Sequence, residues 1–286
     1  MSFAVVFLLS APAWSAPTTV TIGYIPGEAA ADLKARGEEL AALLQKRTGI
    51  KLQTYVGTSY GDLVQKMSEK KIDFAFLSAL SFVEVEKQAN VRVLLKKVWE
   101  QGYYHSVLMV PKASKIRRPL DLKGKRIAFV DEKSASGYLY PLVFLRGLGL
   151  DPQKDIKSVF SGGHDKSVEL LKKGEVDAIA VFANDAKGRD SAWTHHKGRM
   201  GEVRVIWSSA AIPNDPFCVR ADFYERYPKT THDLMFGLIE MNEDPTAGPE
   251  LKRLLGVQGL MLATSQQYEP VREMSKQLAR QSEEKR

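Results

Sequence analysis

Cysteine is nearly absent: Cys218 is the single one in 286 residues, which excludes an internal disulfide framework and any cysteine-rich zinc site. Histidine is scarce too, at five, and the adjacent pair His195-His196 is poorly spaced for two ligands from one regular helix face. No metal site and no cofactor are expected. No segment beyond residue 16 approaches the roughly 20 consecutive apolar residues of a membrane-spanning helix. Internal repeats and low-complexity tracts are missing, which sets solenoids aside. What remains is ordinary globular material, 44% hydrophobic and 26% charged, enough for one large domain or two lobes. Lys and Arg number 41 against 34 Asp and Glu, a formal charge of +7, and that excess favours acidic partners.

Residues 1–16, MSFAVVFLLSAPAWSA, carry no charged side chain and close in small residues at Ala13, Ser15 and Ala16. The pattern reads as a secretory signal peptide, so an exported, periplasmic mature chain is expected. From residue 18 short β-like runs alternate with helical ones: strands at 20–24, 51–56 and 72–77, helices at 29–47 and 62–70. Strand alternating with helix implies a parallel sheet covered on both faces. Further strands are expected at 91–99 and 106–110, and the prolines at 111 and 119 mark a boundary. A second series follows the same grammar, with strands at 126–130, 156–160, 178–182 and 203–207 and helices at 137–148 and 166–173. The passage Ala211-Ile212-Pro213-Asn214-Asp215-Pro216 is again proline-rich. Two such passages imply that the chain crosses between lobes twice. Beyond the second, the sequence reads as mostly helical, ending in a polar surface helix over 266–286.

Three loops carry candidate chemistry. Asp131-Glu132-Lys133-Ser134-Ala135-Ser136-Gly137-Tyr138 joins an expected strand to an expected helix. Ser134 or Ser136 there can cap the helix, and the free N–H groups of the first turn, with hydroxyl donors, suit an oxyanion. His164 lies in Ser161-Gly162-Gly163-His164-Asp165, on the rim where loops after strand ends face a crevice. Tyr103, Tyr104 and His105 stand beside an expected crossover, where aromatic rings either line a cleft or pack. Gly57-Thr58-Ser59-Tyr60-Gly61 matches the nucleophile elbow G-x-S-x-G. Only two expected strands precede it, too few for that class of hydrolase, and the plainer reading is a turn that exposes Tyr60.

In order and spacing, these loops resemble the phosphate/phosphite/phosphonate-binding proteins of bacterial ABC importers, type II periplasmic solute receptors. The likeness rests on Gly23-Tyr24-Ile25-Pro26, Thr58-Ser59-Tyr60, Asp73 to Ser81, Tyr104-His105-Ser106-Val107, Ser134-Ala135-Ser136-Gly137, Gly163-His164 and Ile212 to Pro216. It implies a two-lobed α/β fold with mixed sheets covered by helices and a ligand cleft between the lobes. Lobe 1 would hold 17–105 and 214–286, and lobe 2 would hold 106–213. Tyr60 and Tyr104 from lobe 1 would meet Ser134, Ala135, Ser136 and His164 from lobe 2, with Asp215 closing the set. Many relatives have Ser-Thr-Ser-Gly where this chain has Ser134-Ala135-Ser136-Gly137, one hydroxyl fewer. Asn184 stands where aminoalkylphosphonate receptors place a glutamate, which argues against 2-aminoethylphosphonate. The function implied is a monomeric, non-enzymatic receptor that takes phosphate, phosphite or a short alkylphosphonate to an ABC permease, with no nucleic-acid partner. Two other readings stay open: an extracytoplasmic sensor feeding a membrane signalling partner, and a hydrolase using Ser59, or Ser134 with His164 and Asp215.

Overall fold

Val20–Tyr24 (β1), rich in β-branched and aromatic residues, forms a buried strand flanked in parallel by Leu52–Val56 (β2) and Phe74–Phe76 (β3). The computed structural model describes residues 17–26 and 30–283; the expected leader at 1–16 lies outside the described residues. The helices Ala30–Thr48 (α1), Tyr60–Ser68 (α2) and Ala79–Ala89 (α3) connect and follow these strands. Their ends are chemically marked. Ser59 Oγ accepts from Asp62 N and Ser78 Oγ from Ser81 N, each at 3.0 Å, and Asn90 takes the left-handed conformation at the end of α3.

The first sheet is completed by Val91–Val98 (β4) and by two strands from the far end of the chain, giving the order β12-β4-β11-β3-β1-β2. Pro216–Arg220 (β11) sits between β3 and β4, antiparallel to both, and Gly259–Leu262 (β12) forms an edge beside β4. The expected parallel sheet is therefore mixed, and the reading of residues beyond 216 as mostly helical misses two strands. The reason is length: PFCVR and GLML are too short to show a period, and their β character comes from neighbours brought up by the return crossover. Phe217 stacks on Phe76 and Phe74, with ring centroids 4.6 and 5.5 Å apart. Arg220 anchors the far end of β11 through a buried ion pair to Asp73 at 3.0 Å, and Asp73 also accepts from Thr21 N. Removing one member of such a pair costs about 3–5 kcal/mol.

The second sheet has the order β10-β5-β8-β6-β7, with β9 also on β5. Its strands are Tyr103–Pro111 (β5), Arg126–Phe129 (β6), Lys157–Phe160 (β7), Ala178–Ala183 (β8), Val203–Ser208 (β9) and Ile212–Pro213 (β10). β5 begins at Tyr103, so Tyr104 pairs with Ile212 in the second sheet instead of belonging to the first, and the first crossover falls at 99–102, ahead of the expected boundary at Pro111 and Pro119, which lie within the second sheet's part of the chain. The helices here are Tyr140–Gly147 (α4), His164–Lys172 (α5) and the short Ala192–His195 (α6). Helices Ala221–Arg226 (α7), Pro228–Glu243 (α8) and Ala247–Leu255 (α9) return to the first sheet, where Leu234, Leu238 and Leu251 join its core.

The last helix, Glu269–Glu283 (α10), is more than a polar surface element. Val271 is buried in it, and Met274 and Leu278 pack on a core shared by α2 and α3 of the first sheet and Leu139, Tyr140 and Val143 of the second. One apolar cluster thus runs behind the cleft from one sheet to the other.

Candidate functional site

The segment 134–147 opens on a turn of π-helix, Ala135–Leu139, before α4. Ser134 Oγ accepts from Gly137 N at 3.0 Å, and Leu139 N donates to Ser134 O at 3.0 Å. Capping, the plain reading of Ser134, is therefore real. It leaves the hydroxyl proton to point elsewhere and the first N–H groups, at Ala135 and Ser136, without an acceptor earlier in the helix. Gly137 is required at its place, because a Cβ there would lie 2.5 Å from Val130.

Around this turn six of the expected site residues converge on one cavity of about 650 Å³: Tyr60, Tyr104, Ser134, Ser136, His164 and Asp215. Tyr60 begins α2, and its backbone N–H donates to Asp131 Oδ2 across the cleft at 3.4 Å. Tyr104 and Ser136 are joined through their side chains, which favours the tyrosinate slightly, but burial outweighs that bond and pushes the phenol well up. Burial, then the charges of Asp215, Asp131 and Asp165, does the same to Tyr60. Both phenols are therefore donors at any ordinary pH. Ala135, the seventh expected residue, is placed differently: it is fully buried in the shared core and does not line the cavity.

His164 begins α5 behind the glycine pair, and Gly162 has φ +81°, which only glycine adopts readily. Burial holds the imidazole near a pKa of about 3, with His196 adding to the effect. Its Nδ1 accepts from Phe182 N at 3.4 Å, so the neutral ring carries its proton on Nε2 and is a neutral donor. Asp215 lies between β10 and β11, pushed up to about 6 by burial, with Lys97 pulling the other way. The set comprises donors of several kinds and one carboxylate poised to share a proton.

Ser59 is not among the cavity residues; its hydroxyl caps α2 as described, and the G-x-S-x-G match is a helix start. His195 reaches the cavity, yet its Nε2 pairs with Asp190 Oδ1 at 2.5 Å. Among the described residues no group of three or more His, Cys, Asp and Glu could hold a metal ion. Sequence reasoning missed much of the lining: Ile25, Arg36, Lys97, Trp99, Asp165 and Phe182 all face the cleft. Arg36, Lys97, Trp99 and Phe182 lie outside every quoted motif, and Ile25 and Asp165 lie inside two of them without having been given a role. The signal for Phe182 was position alone, near the end of β8, whereas Asn184, just beyond it, was singled out by the resemblance.

The crossovers are tied together. Asn214 donates its N–H to Gly102 O at 3.3 Å and its Nδ2 to Gln101 O at 2.7 Å, while Tyr268 Oη donates to Asn214 O at 2.8 Å. At the other side of the cleft Ser78 Oγ donates to Lys133 O at 2.8 Å, and Lys133 Nζ pairs with Glu84 at 2.9 Å.

Comparison with known proteins gives the family and the fold. The chain is 29% identical over 265 residues to the phosphonates-binding periplasmic protein of Escherichia coli K12, covering 90% of this chain and 75% of that one. It is 29% identical over 213 residues to the phosphate-import protein PhnD of Mycolicibacterium smegmatis, covering 70% and 66%. Among solved structures, PhnD1 of Prochlorococcus marinus in complex with methylphosphonate superposes with a TM-score of 0.79 at 21% identity, covering 92% of this chain and 99% of the other. That likeness concerns the fold, the type II periplasmic-binding-protein architecture. The family described as "ABC transporter, phosphonate, periplasmic substrate-binding protein" matches residues 22–268, and the chain belongs to that family.

Proposed function

We propose that the protein, exported and freed of residues 1–16, captures a small phosphorus oxyanion between its two lobes and hands it, as a monomer, to the permease of an ABC importer. Phosphate, phosphite and short alkylphosphonates are the ligands in question. In this reading one lobe holds residues 17–105 and 214–286 and the other 106–213, except that Tyr103 to His105 travel with the second sheet. The observation that carries the reading is the convergence of four neutral donors, at Tyr60, Tyr104, Ser134 and His164, with Ser136 bonded to Tyr104 and the open end of a helix on one cavity. Such donors stabilise an oxyanion without requiring a full counter-charge.

Asp215 fits the same reading. Two negative groups repel, unless the ligand brings a proton; then its P–O–H donates to the carboxylate in a short, charge-assisted bond. Release and capture proceed by hinge closure about the two crossovers at 99–102 and 214–215. The residues act by binding, and turnover is not part of the proposal.

Titration calorimetry of the mature chain with phosphite, phosphate, methylphosphonate, sulfate and a set of amino acids tests it. Heat with at least one phosphorus oxyanion and none with amino acids is the expected result. Clear binding of an amino acid with no phosphorus ligand would overturn the reading, and release of p-nitrophenol from its acetate or phosphate ester above a heat-killed control would reopen the hydrolase.

A further inference from the structure

The cleft is larger than a bare oxyanion needs. A water takes about 30 Å³ of liquid, and a tetrahedral oxyanion takes the room of about two or three, against a cavity of about 650 Å³. What lies at its other end therefore decides what else the ligand carries.

That end is built around Asp190. Asn184, 3% exposed, donates its backbone N–H to Asp190 O at 2.7 Å and its Nδ2 to Asp190 Oδ2 at 2.8 Å. A carboxylate only accepts, so this bond settles which end of the amide is nitrogen and turns Oδ1 away from Asp190. Among the described residues no donor meets Asn184 Oδ1, and it is not one of the side-chain atoms sealed from solvent. Because Asn184 lines the cavity, that oxygen is a neutral acceptor presented to the ligand. The other carboxylate oxygen of Asp190 takes His195 Nε2 at 2.5 Å, which holds His195 beside the amide. Phe182 joins the two ends: its ring meets His164 edge-on at 5.0 Å and His195 at 5.4 Å. A ligand held at His164 therefore runs its carbon chain along Phe182 and ends at Asn184.

The carboxylate at this end, that of Asp190, already accepts from Asn184 and His195. Asp165 and Asp215 line the cavity and raise the pKa of Tyr60, and Glu169 is exposed. An ammonium leaving water needs a counter-charge or several acceptors. A hydroxyl needs one acceptor, and one is there. We propose that this cleft is built for alkylphosphonates whose substituent ends in a hydroxyl group, with Asn184 as its acceptor and Asp190 as the positioning residue. The proposal rests on the phosphorus-oxyanion reading above and narrows it to a substituent class.

Calorimetric titration with methylphosphonate, ethylphosphonate, 2-hydroxyethylphosphonate and 2-aminoethylphosphonate separates the two. The hydroxyethyl compound should bind about five- to tenfold more tightly than the ethyl one, the size of one neutral hydrogen bond, and more tightly than the aminoethyl one. Asn184→Leu and Asp190→Asn should bring the hydroxyethyl-to-ethyl ratio close to one, the second by letting the amide turn over. Asn184→Glu should invert the preference toward the aminoethyl compound. Thermal unfolding of each variant shows whether it is folded, and the wild-type ratio decides even if a variant is not. Equal binding of the ethyl and hydroxyethyl compounds would sink the proposal. So would an aminoethyl compound more than tenfold tighter than the hydroxyethyl one, since a carboxylate would then set the choice. A folded Asp190→Asn with the wild-type ratio would remove Asp190 from it. No binding of any of the four would instead overturn the phosphorus-oxyanion reading itself.

Discussion

Asp215 shows how one residue sets both binding and stability. Its pKa is about 6 in the folded chain against an ordinary 3.8, so the folded state holds the proton more tightly than the unfolded one. The group's contribution is therefore full below about pH 4, is lost as pH rises through 6, and stays lost above it. Asp215→Asn should raise ligand-free stability by about 1–2 kcal/mol at pH 8 and change it little at pH 4. Urea unfolding at the two pH values measures this, and an equal gain at both would mean the carboxylate is not buried. His164, whose pKa is depressed to about 3, loses its contribution as pH falls below 6.5, but it is common to both proteins and cancels in the difference. In the liganded protein, Asp215→Asn should also lower the phosphite-over-sulfate affinity ratio, because an amide donates where the carboxylate only accepted. At Gly137 the prediction is steric. Gly137→Ala places a methyl 2.5 Å from Val130 and should cost about 1–3 kcal/mol, weakening oxyanion binding as the turn is displaced; thermal melts and calorimetry read the two effects. Tyr60, Ser134, Ser136 and His164 stood out as candidates because each lies in a short loop with small neighbours, Tyr104 because it adjoins a crossover, and Asp215 through the resemblance alone. The burial of Ala135 was not legible, because the direction of a methyl in a π-turn depends on what packs against it.

At the scale of elements, the loop 131–133 makes polar contacts with α2 and α3 beside the shared apolar core. Lys133 O accepts from Ser78 and Ser81, and Lys133 Nζ pairs with Glu84. The ion pair is partly exposed, with side chains 38% and 23% accessible, so its worth is that of a surface pair, about 0.5–1 kcal/mol. Lys133→Met should weaken methylphosphonate binding about two- to fivefold, mainly through faster release. That loss should shrink in 1 M salt, where the wild-type pair is itself screened. Surface plasmon resonance at two ionic strengths checks it; a loss that persists unchanged in high salt would point to packing instead of charge. The helices were readable from caps and period. β11, β12 and the bridging role of α10 were not, because a four- or five-residue strand and a polar helix with one buried stripe acquire their meaning only from what lies beside them.

At the scale of the whole molecule, the apolar cluster behind the cleft contains Cys218, fully buried on β11 beside Ala75 and Val93. Burial pushes its thiol well up, so reaction with a thiol reagent such as DTNB has to wait for unfolding. Labelling of the ligand-free protein should follow global unfolding, and methylphosphonate at one hundred times its Kd should slow it about 100-fold, the factor by which binding depletes the unfolded population. Labelling that is fast, or indifferent to a ligand shown to bind, would mean that the core opens locally without the cleft opening.

The sequence by itself determined the alternation of strands and helices, the proline-marked return crossover at 211–216 and the loops that hold the proposed oxyanion donors. Those features are local, written in period, caps and turn residues. Only the tertiary structure decided that the return crossover places β11 between β3 and β4, that α10 binds both halves, and that Asp190 orients Asn184. Each of these depends on contacts between residues distant in the chain or on the direction of a side chain, and neither leaves a periodic trace in a single sequence.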